Sequence, residues 1–186
     1  MGDRARTVEP MAEEGAAPKG AHRSGAARIV ARIAFAAVFL VNVQCALSFV
    51  LWPESFAGAY ELSGAAGDAA VRGLGVAFLM WNATYPLVIA DPARHRALAG
   101  VVLAQQAIGL VGETAILLSL PAGHGMLAGS IMRFIAFDAA GLVVMAAAFA
   151  WLCASFRKER RAAGLADDAA SSGRGDEGAL GEGGAR

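Results

Sequence analysis

Charge is scarce in this chain, and residues suited to metal or thiol chemistry are scarcer still. It has two cysteines and three histidines, with 17% of its 186 residues charged. No CxxC pair exists for thiol redox work. Cys45 reads as a small buried side chain, and its depth differs too much from that of Cys153 for a disulfide, which needs close Cα atoms. His95 and His124 fall in different connections on opposite sides of the chain's apolar segments, so they cannot bracket a haem, and a three-ligand metal centre would need an unusual donor set. The scattered methionines form no metal-binding array. Neither a GxGxxG nor a GxxxxGK loop occurs in a strand-to-helix setting; Gly73-x-Gly75 opens an apolar helix instead. No catalytic set, metal or cofactor emerges, so the residues lean away from an enzyme. The short basic segments suit topology control and give no reason to expect a nucleic-acid partner.

What is abundant is apolar length. The hydrophobic group makes up 56% of the chain, and mean hydropathy is +0.50. Four runs, Ile29–Trp52, Val71–Ala90, Leu98–Leu120 and Leu127–Ala154, are nearly free of charge. Crossing a hydrocarbon layer of roughly 30 Å takes about 20 helical residues, and each run is long enough. Four buried helices in a soluble protein of this size would leave too little polar surface to cover them. The expected fold is all-α: an antiparallel four-helix transmembrane bundle, joined by short second and third turns.

Net charge is formally zero, but its distribution is uneven. Arg4, Arg6, Lys19, Arg23 and Arg28 precede the first run, Arg94 and Arg96 lie in the second turn, and FRKERR follows the fourth run. The 53–70 connection carries Glu54, Glu61 and Asp68 with no Lys or Arg. Basic residues stay on the cytoplasmic side, which puts both termini in the cytoplasm and the protein in a cell membrane as a multi-pass chain. A cleaved signal peptide is not expected, because the first apolar run starts late, runs long and lacks a small-x-small site.

The chain divides into a flexible cytoplasmic tail over 1–28, a membrane domain over 29–156, and a basic, then flexible, cytoplasmic tail over 157–186. In the first connection Pro53 ends a helix, and SFAGAYEL puts Phe56 and Tyr60, with Leu62, toward one side. That segment either rests on the outer interface or is an ordinary loop. No repeat marks an inverted-repeat transporter.

Within the third run, QQAIGLVGE over residues 105–113 places amides and a carboxylate where lipid would penalise them. At 1.5 Å per residue, Glu113 lies roughly 10 Å and Arg133 about 9 Å from the outer boundary, so the two can pair; alternatively Arg133 snorkels outward and Glu113 is protonated or hydrated. Asn42, Asn82 and Asp138 fall near the midplane, about 15–18 Å in, with Thr84 slightly lower and Gln105 and Gln106 just inward of centre. Gln106 and Glu113 are two turns apart and share a face with Gly109. These residues form a polar bundle interior that either glues helices together or lines a ligand cavity or permeation path. Gly109, Gly112, Ala136, Ala140 and Gly141 offer small surfaces for close approach, while Gly125-x-x-x-Gly129 starts too near a turn to mark a dimer. In MWNATYP, Pro86 kinks or ends the second run, Asn82-Ala83-Thr84 is too deep to be glycosylated, and Trp81 and Tyr85 share a face suited to packing or to a ring-shaped ligand.

The four-span layout, with PESFAGAYELSG followed by VRGLGVAFLMW over residues 53–81, resembles small bacterial membrane proteins of the DoxX-like type. The resemblance implies a compact bundle in the bacterial inner membrane and carries no catalytic set. Three functions stay open: a polar-cored bundle, surrounded by membrane lipids, that accommodates a lipophilic small molecule; a proton-coupled carrier or leak using Asp138 and Glu113; and an accessory subunit, as a homo-oligomer or in a larger membrane complex.

Overall fold

A computed structural model describes residues 19–179, with side-chain surroundings given for residues 24–165. The described chain is helical: α1 (Lys19–Leu51), α2 (Glu54–Ala57), a 3-10 turn (Gly58–Tyr60), α3 (Gly64–Asn82), α4 (Tyr85–Ala90), α5 (Arg96–Ser119) and α6 (Gly125–Ala179). Four stretches, Ser24–Leu51, Gly64–Ala90, Arg96–Ser119 and Gly125–Leu165, are long and apolar enough to cross a membrane. Only 11–28% of each stretch's apolar window is buried inside the protein. Apolar helices left this uncovered need lipid around them, and the chain is a multi-pass membrane bundle.

α1 is the centre of the bundle, packing on α3, α4 and α6, while α5 packs on α6 and more lightly on α4. α3 and α5 share no packed seam, which leaves the bundle thin on that side. The α1–α3 crossing is tight because of Gly75: a Cβ there would sit 2.7 Å from the Ala46 carbonyl oxygen. Gly112, Gly125 and Gly129 meet nothing within 4 Å, so they mediate no close approach within this chain.

Side-chain contacts sort the connections onto two ends. At one, Ser130 Oγ donates to the Ala59 carbonyl at 2.7 Å, and Glu61 meets both His124 and the Leu127 amide. At the other, Arg32 Nε donates to the Ile89 carbonyl at 2.9 Å, and the guanidinium groups of Arg28 and Arg96 lie 5.0 and 4.5 Å from the Phe156 ring centre. We call these the connection end and the terminal end. The terminal end holds the dense core: Phe35, Tyr85, Val88, Val102 and Met145 are each 0% exposed, with Ala27, Ala31 and Leu152 beyond them.

The starts of α1 and α3 and the end of α6 differ from the sequence reading, and the structure decides between the two readings of Pro86. α3 begins at Gly64 rather than Val71, because GAAGDAA is too poor in large apolar residues to register as a membrane run yet is helix-permissive. α1 starts at Lys19, and α6 continues through FRKERR to Ala179, so part of each expected tail is helical; residues 1–18 and 180–186 of those tails lie outside the described residues. The second span is broken rather than merely ended at Pro86. Proline has no N–H to give the Asn82 carbonyl four residues back, so α3 stops at Asn82 and α4 restarts at Tyr85 with Pro86 in its first turn.

Candidate functional site

The break between α3 and α4 opens onto a cavity of about 360 Å³ near the middle of the bundle, extending toward the connection end. Its walls are largely aromatic. Phe49 of α1 is the hub, with ring centres 4.9 Å from Phe56, 5.9 Å from Tyr60, 6.1 Å from Phe78 and 6.2 Å from Phe134. Such offset and edge-on spacings are those aromatic rings prefer. Phe56 and Tyr60 thus turn inward and roof the cavity from a short helix and a 3-10 turn rather than an ordinary loop. Leu62 remains exposed. Clasps to α6 hold the roof: Glu61 accepts the Leu127 amide at 3.2 Å and pairs with His124 Nδ1 at 2.5 Å. A carboxylate at the first amides of a helix also meets the positive end of the helix dipole. The His124 bond, followed by the Leu127 amide, holds the Glu61 carboxyl below the usual carboxylate range.

The polar floor is built of side chains from four helices. Asp138 on α6 accepts from Gln106 Nε2 on α5 at 2.7 Å. Gln106 Oε1 accepts from the Tyr85 hydroxyl on α4 at 3.3 Å, and Asn42 on α1 lines the same cavity. Two glycines make room. A Cβ on Gly109 would lie 2.8 Å from Asp138 Oδ2 and 3.5 Å from the Trp81 indole, and one on Gly141 would lie 3.4 Å from Gln106 Nε2. Trp81 therefore reaches across the thin side between α3 and α5 and walls the cavity there.

Most of the residues picked out by depth converge. Asn42, Asn82, Gln106, Glu113, Arg133 and Asp138 all line the cavity. Thr84 and Gln105 do not: Thr84 Oγ1 turns back to the Trp81 carbonyl at 3.4 Å, and Gln105 points off the shared stripe. The expected Glu113–Arg133 ion pair is absent. Arg133 is exposed and its Nη2 donates to Ser130 Oγ at 3.0 Å, one turn back on its own helix, while the ion pair found among the described residues is His124–Glu61. Equal depth does not impose a contact: Arg133 borders the cavity, but its guanidinium is taken by Ser130 and the side chain is exposed. Asn82, at the same depth as Asp138, does not bond it: its Nδ2 donates to the Phe78 carbonyl at 2.8 Å, and it is Tyr85, through Gln106, that joins the chain to Asp138. Cys45 and Cys153 are both free, and Cys45 lines the cavity.

Among the described residues, four buried side-chain atoms have no hydrogen-bond partner: Tyr60 Oη, Asn82 Oδ1, Glu113 Oε2 and Gln105 Oε1. The first three belong to cavity-lining residues. A buried polar atom left alone costs about 1–3 kcal/mol, so a cluster of them around one space calls for something to fill it.

No family model matches the chain, and no curated protein or solved structure matches it significantly.

Proposed function

We propose that this protein binds a small amphiphilic molecule, lipophilic in its body and polar at one end, in the cavity roofed by Phe56 and Tyr60. The convergence of three unpartnered polar atoms on one aromatic-walled space carries the reading. The volume falls within the roughly 300–1,000 Å³ usual for small-molecule sites, which pair apolar walls with a few placed polar groups. Polar glue alone accounts for the Tyr85–Gln106–Asp138 chain, whose members satisfy one another, but leaves Asn82 Oδ1 and Glu113 Oε2 without a purpose. The packed core at the terminal end, with Phe35, Val88 and Met145 fully buried, favours a closed pocket over a path through the membrane. The reading is non-enzymatic, and the thin side between α3 and α5 gives a molecule dissolved in the bilayer a lateral route past Trp81.

The topology proposed with it is an antiparallel bundle with both termini cytoplasmic. Arg28, Arg96 and Phe156 meet at one end of the bundle, which gathers basic residues from three segments there, as the positive-inside rule requires. Reporters fused after residues 20, 62, 95, 124 and 165 should alternate in, out, in, out, in. Residue 62 inside with residue 95 outside would reverse it.

The binding reading is tested by purifying the protein directly from membranes into lipid nanodiscs and analysing small molecules that co-purify. Cys45→Trp fills the cavity from its wall. The expected result is a co-purifying molecule that is lost in the filled variant while helicity and thermal unfolding are retained. Identical small-molecule content in the two proteins would overturn the reading.

A further inference from the structure

The unpartnered atoms are not a random set of polar groups. The Asn82 amide is 3% exposed, and its Nδ2 donates to the Phe78 carbonyl; that carbonyl can only accept, which fixes the orientation of the amide and leaves Oδ1 facing its unmet need as an acceptor. Glu113 Oε2 is a second free oxygen on the same cavity. Tyr60 Oη is the third, and a phenol accepts as readily as it donates. The buried donors beneath them are engaged: Gln106 Nε2 with Asp138, and the Tyr85 hydroxyl with Gln106 Oε1. A ketone, ester or quinone brings acceptors, which answer the Tyr60 hydroxyl but leave the Asn82 amide oxygen unmet. A ligand that brings N–H donors meets all three unpartnered oxygens.

Charge points the same way. Glu113 and Asp138 line the cavity, and Arg133 is its basic lining residue. Arg133 is turned to Ser130 and makes no ion pair with either carboxyl group among the described residues. Two carboxyl groups share the cavity with one guanidinium, so a cationic ligand would supply the counter-charge that holds one of them ionised. The walls add a third preference, since the ring faces of Phe49, Phe78, Trp81 and Phe134 attract a cation held among them.

We infer that the ligand is a lipophilic ammonium: an apolar, ring- or chain-bearing body ending in a protonated primary or secondary amine, with its N–H groups shared between the Asn82 carbonyl and the Glu113 carboxylate. The inference rests on the reading of the cavity as a binding site and narrows it to one chemistry. Asp138, already held by Gln106, supplies charge from one helical layer away rather than a direct bond.

The test uses the full chain in zwitterionic phosphatidylcholine nanodiscs, with Trp52→Phe and Trp151→Phe leaving Trp81 as the sole tryptophan, on the cavity wall. Both removed rings are exposed, at 55% and 45%. Three probes sharing one phenylbutyl body are titrated against Trp81 fluorescence, with empty nanodiscs correcting for partition: 4-phenylbutylamine, its bulkier N,N,N-trimethyl derivative, and pentylbenzene, the near-isostere of the amine. The protonated amine should bind at least ten-fold more tightly than either other probe. Glu113→Gln should weaken the amine at least five-fold and leave pentylbenzene unchanged, with thermal unfolding confirming the fold; the ranking in the parent protein stands without any variant. Equal binding of amine and pentylbenzene would overturn the ammonium assignment while leaving the cavity as a site. Equal binding of amine and trimethylammonium would overturn the role of the N–H donors. Failure of all three probes to reach Trp81 would remove this inference and count against the binding reading beneath it.

Discussion

Phe35 and Phe134 are the same residue on bundle-facing positions, yet the two halves of the molecule use them differently. Phe35 is completely buried at the terminal end, edge-on to Tyr85 with ring centres 6.4 Å apart. Phe134, half-buried, has rings on one side and the cavity on the other. The terminal half is packed as a core, and the connection half is shaped around a space. Dense packing and open space are thus divided along the length of the bundle, and the division can be measured.

The largest contrast should come from truncating the two rings. Phe35→Ala leaves a void among side chains that cannot close around it and should cost about 3–5 kcal/mol. Phe134→Ala enlarges a space that already exists, so fewer contacts are lost, and the cost should be about 1–2 kcal/mol. Unfolding titrations in one detergent at fixed concentration would compare them. Equal costs would mean that the connection half is as dense as the terminal half, and the comparison would fail.

Next in size is the polar chain at the boundary between the halves. Gln106→Leu leaves both the Asp138 carboxyl and the Tyr85 hydroxyl without their partner, at a cost of about 1–3 kcal/mol. Adding Asp138→Leu removes one of the two stranded groups, so the double variant should be less damaged than the sum of its parts. Strict additivity in an unfolding cycle would show that Gln106 and Asp138 are not coupled.

Much of this was legible from the chain, and what was not has a common cause. Span identity follows from apolar length, and the depth of Gln106, Glu113 and Asp138 follows from helical rise, so six of the eight polar candidates line the cavity. Depth is one coordinate, however, and pairing needs a second. Which partner the Arg133 guanidinium takes, Ser130 on its own helix rather than Glu113, depends on how α5 and α6 rotate against each other, which neither segment encodes alone. Tyr85 escaped as a polar partner because a tyrosine four residues from Trp81 reads equally well as packing. Its position just before Pro86, where the helix restarts, was the available sign. The inward turn of Phe56 and Tyr60 could not be read locally, because the clasp that imposes it joins Glu61 to His124 and Leu127, more than sixty residues away.

A smaller effect should separate two glycines of the same stripe. Gly112 meets nothing within 4 Å, so Gly112→Ala should stabilise α5 by up to about 1 kcal/mol through helix propensity. Gly109→Ala gains the same propensity but drives a methyl group to 2.8 Å from Asp138 Oδ2, an overlap costing about 1–3 kcal/mol. The net should be destabilising by roughly 0–2 kcal/mol, accompanied by loss of whatever the cavity holds. Thermal unfolding of the two variants side by side checks the sign. A stabilised Gly109→Ala with ligand retention intact would mean that the carboxyl and Trp81 can retreat, and that the thin side between α3 and α5 is softer than its packing implies.

The smallest effect should belong to the roof, and it depends on pH. The His124 bond and the Leu127 amide keep the Glu61 carboxyl ionised to lower pH than an ordinary glutamate. Folding therefore favours its charged form, and the unfolded chain binds the proton first as pH falls. The stability that the clasp contributes is fully present above the ordinary glutamate value of about 4.3 and is lost as pH drops through the depressed one. Glu61→Gln removes this dependence. Asp91, at the opposite end, is likewise held low by the amides of Arg94 and Ala93, but it is present in both proteins and cancels when their melting curves are subtracted. The wild-type advantage over Glu61→Gln should shrink as pH falls below about 5. Because the side chain sits in solvent beside His124, added salt should reduce the advantage further. An advantage that grew as pH fell would mean that the carboxylate is a liability to the closed roof, and that the inward position of Phe56 and Tyr60 is held by ring packing on Phe49 alone.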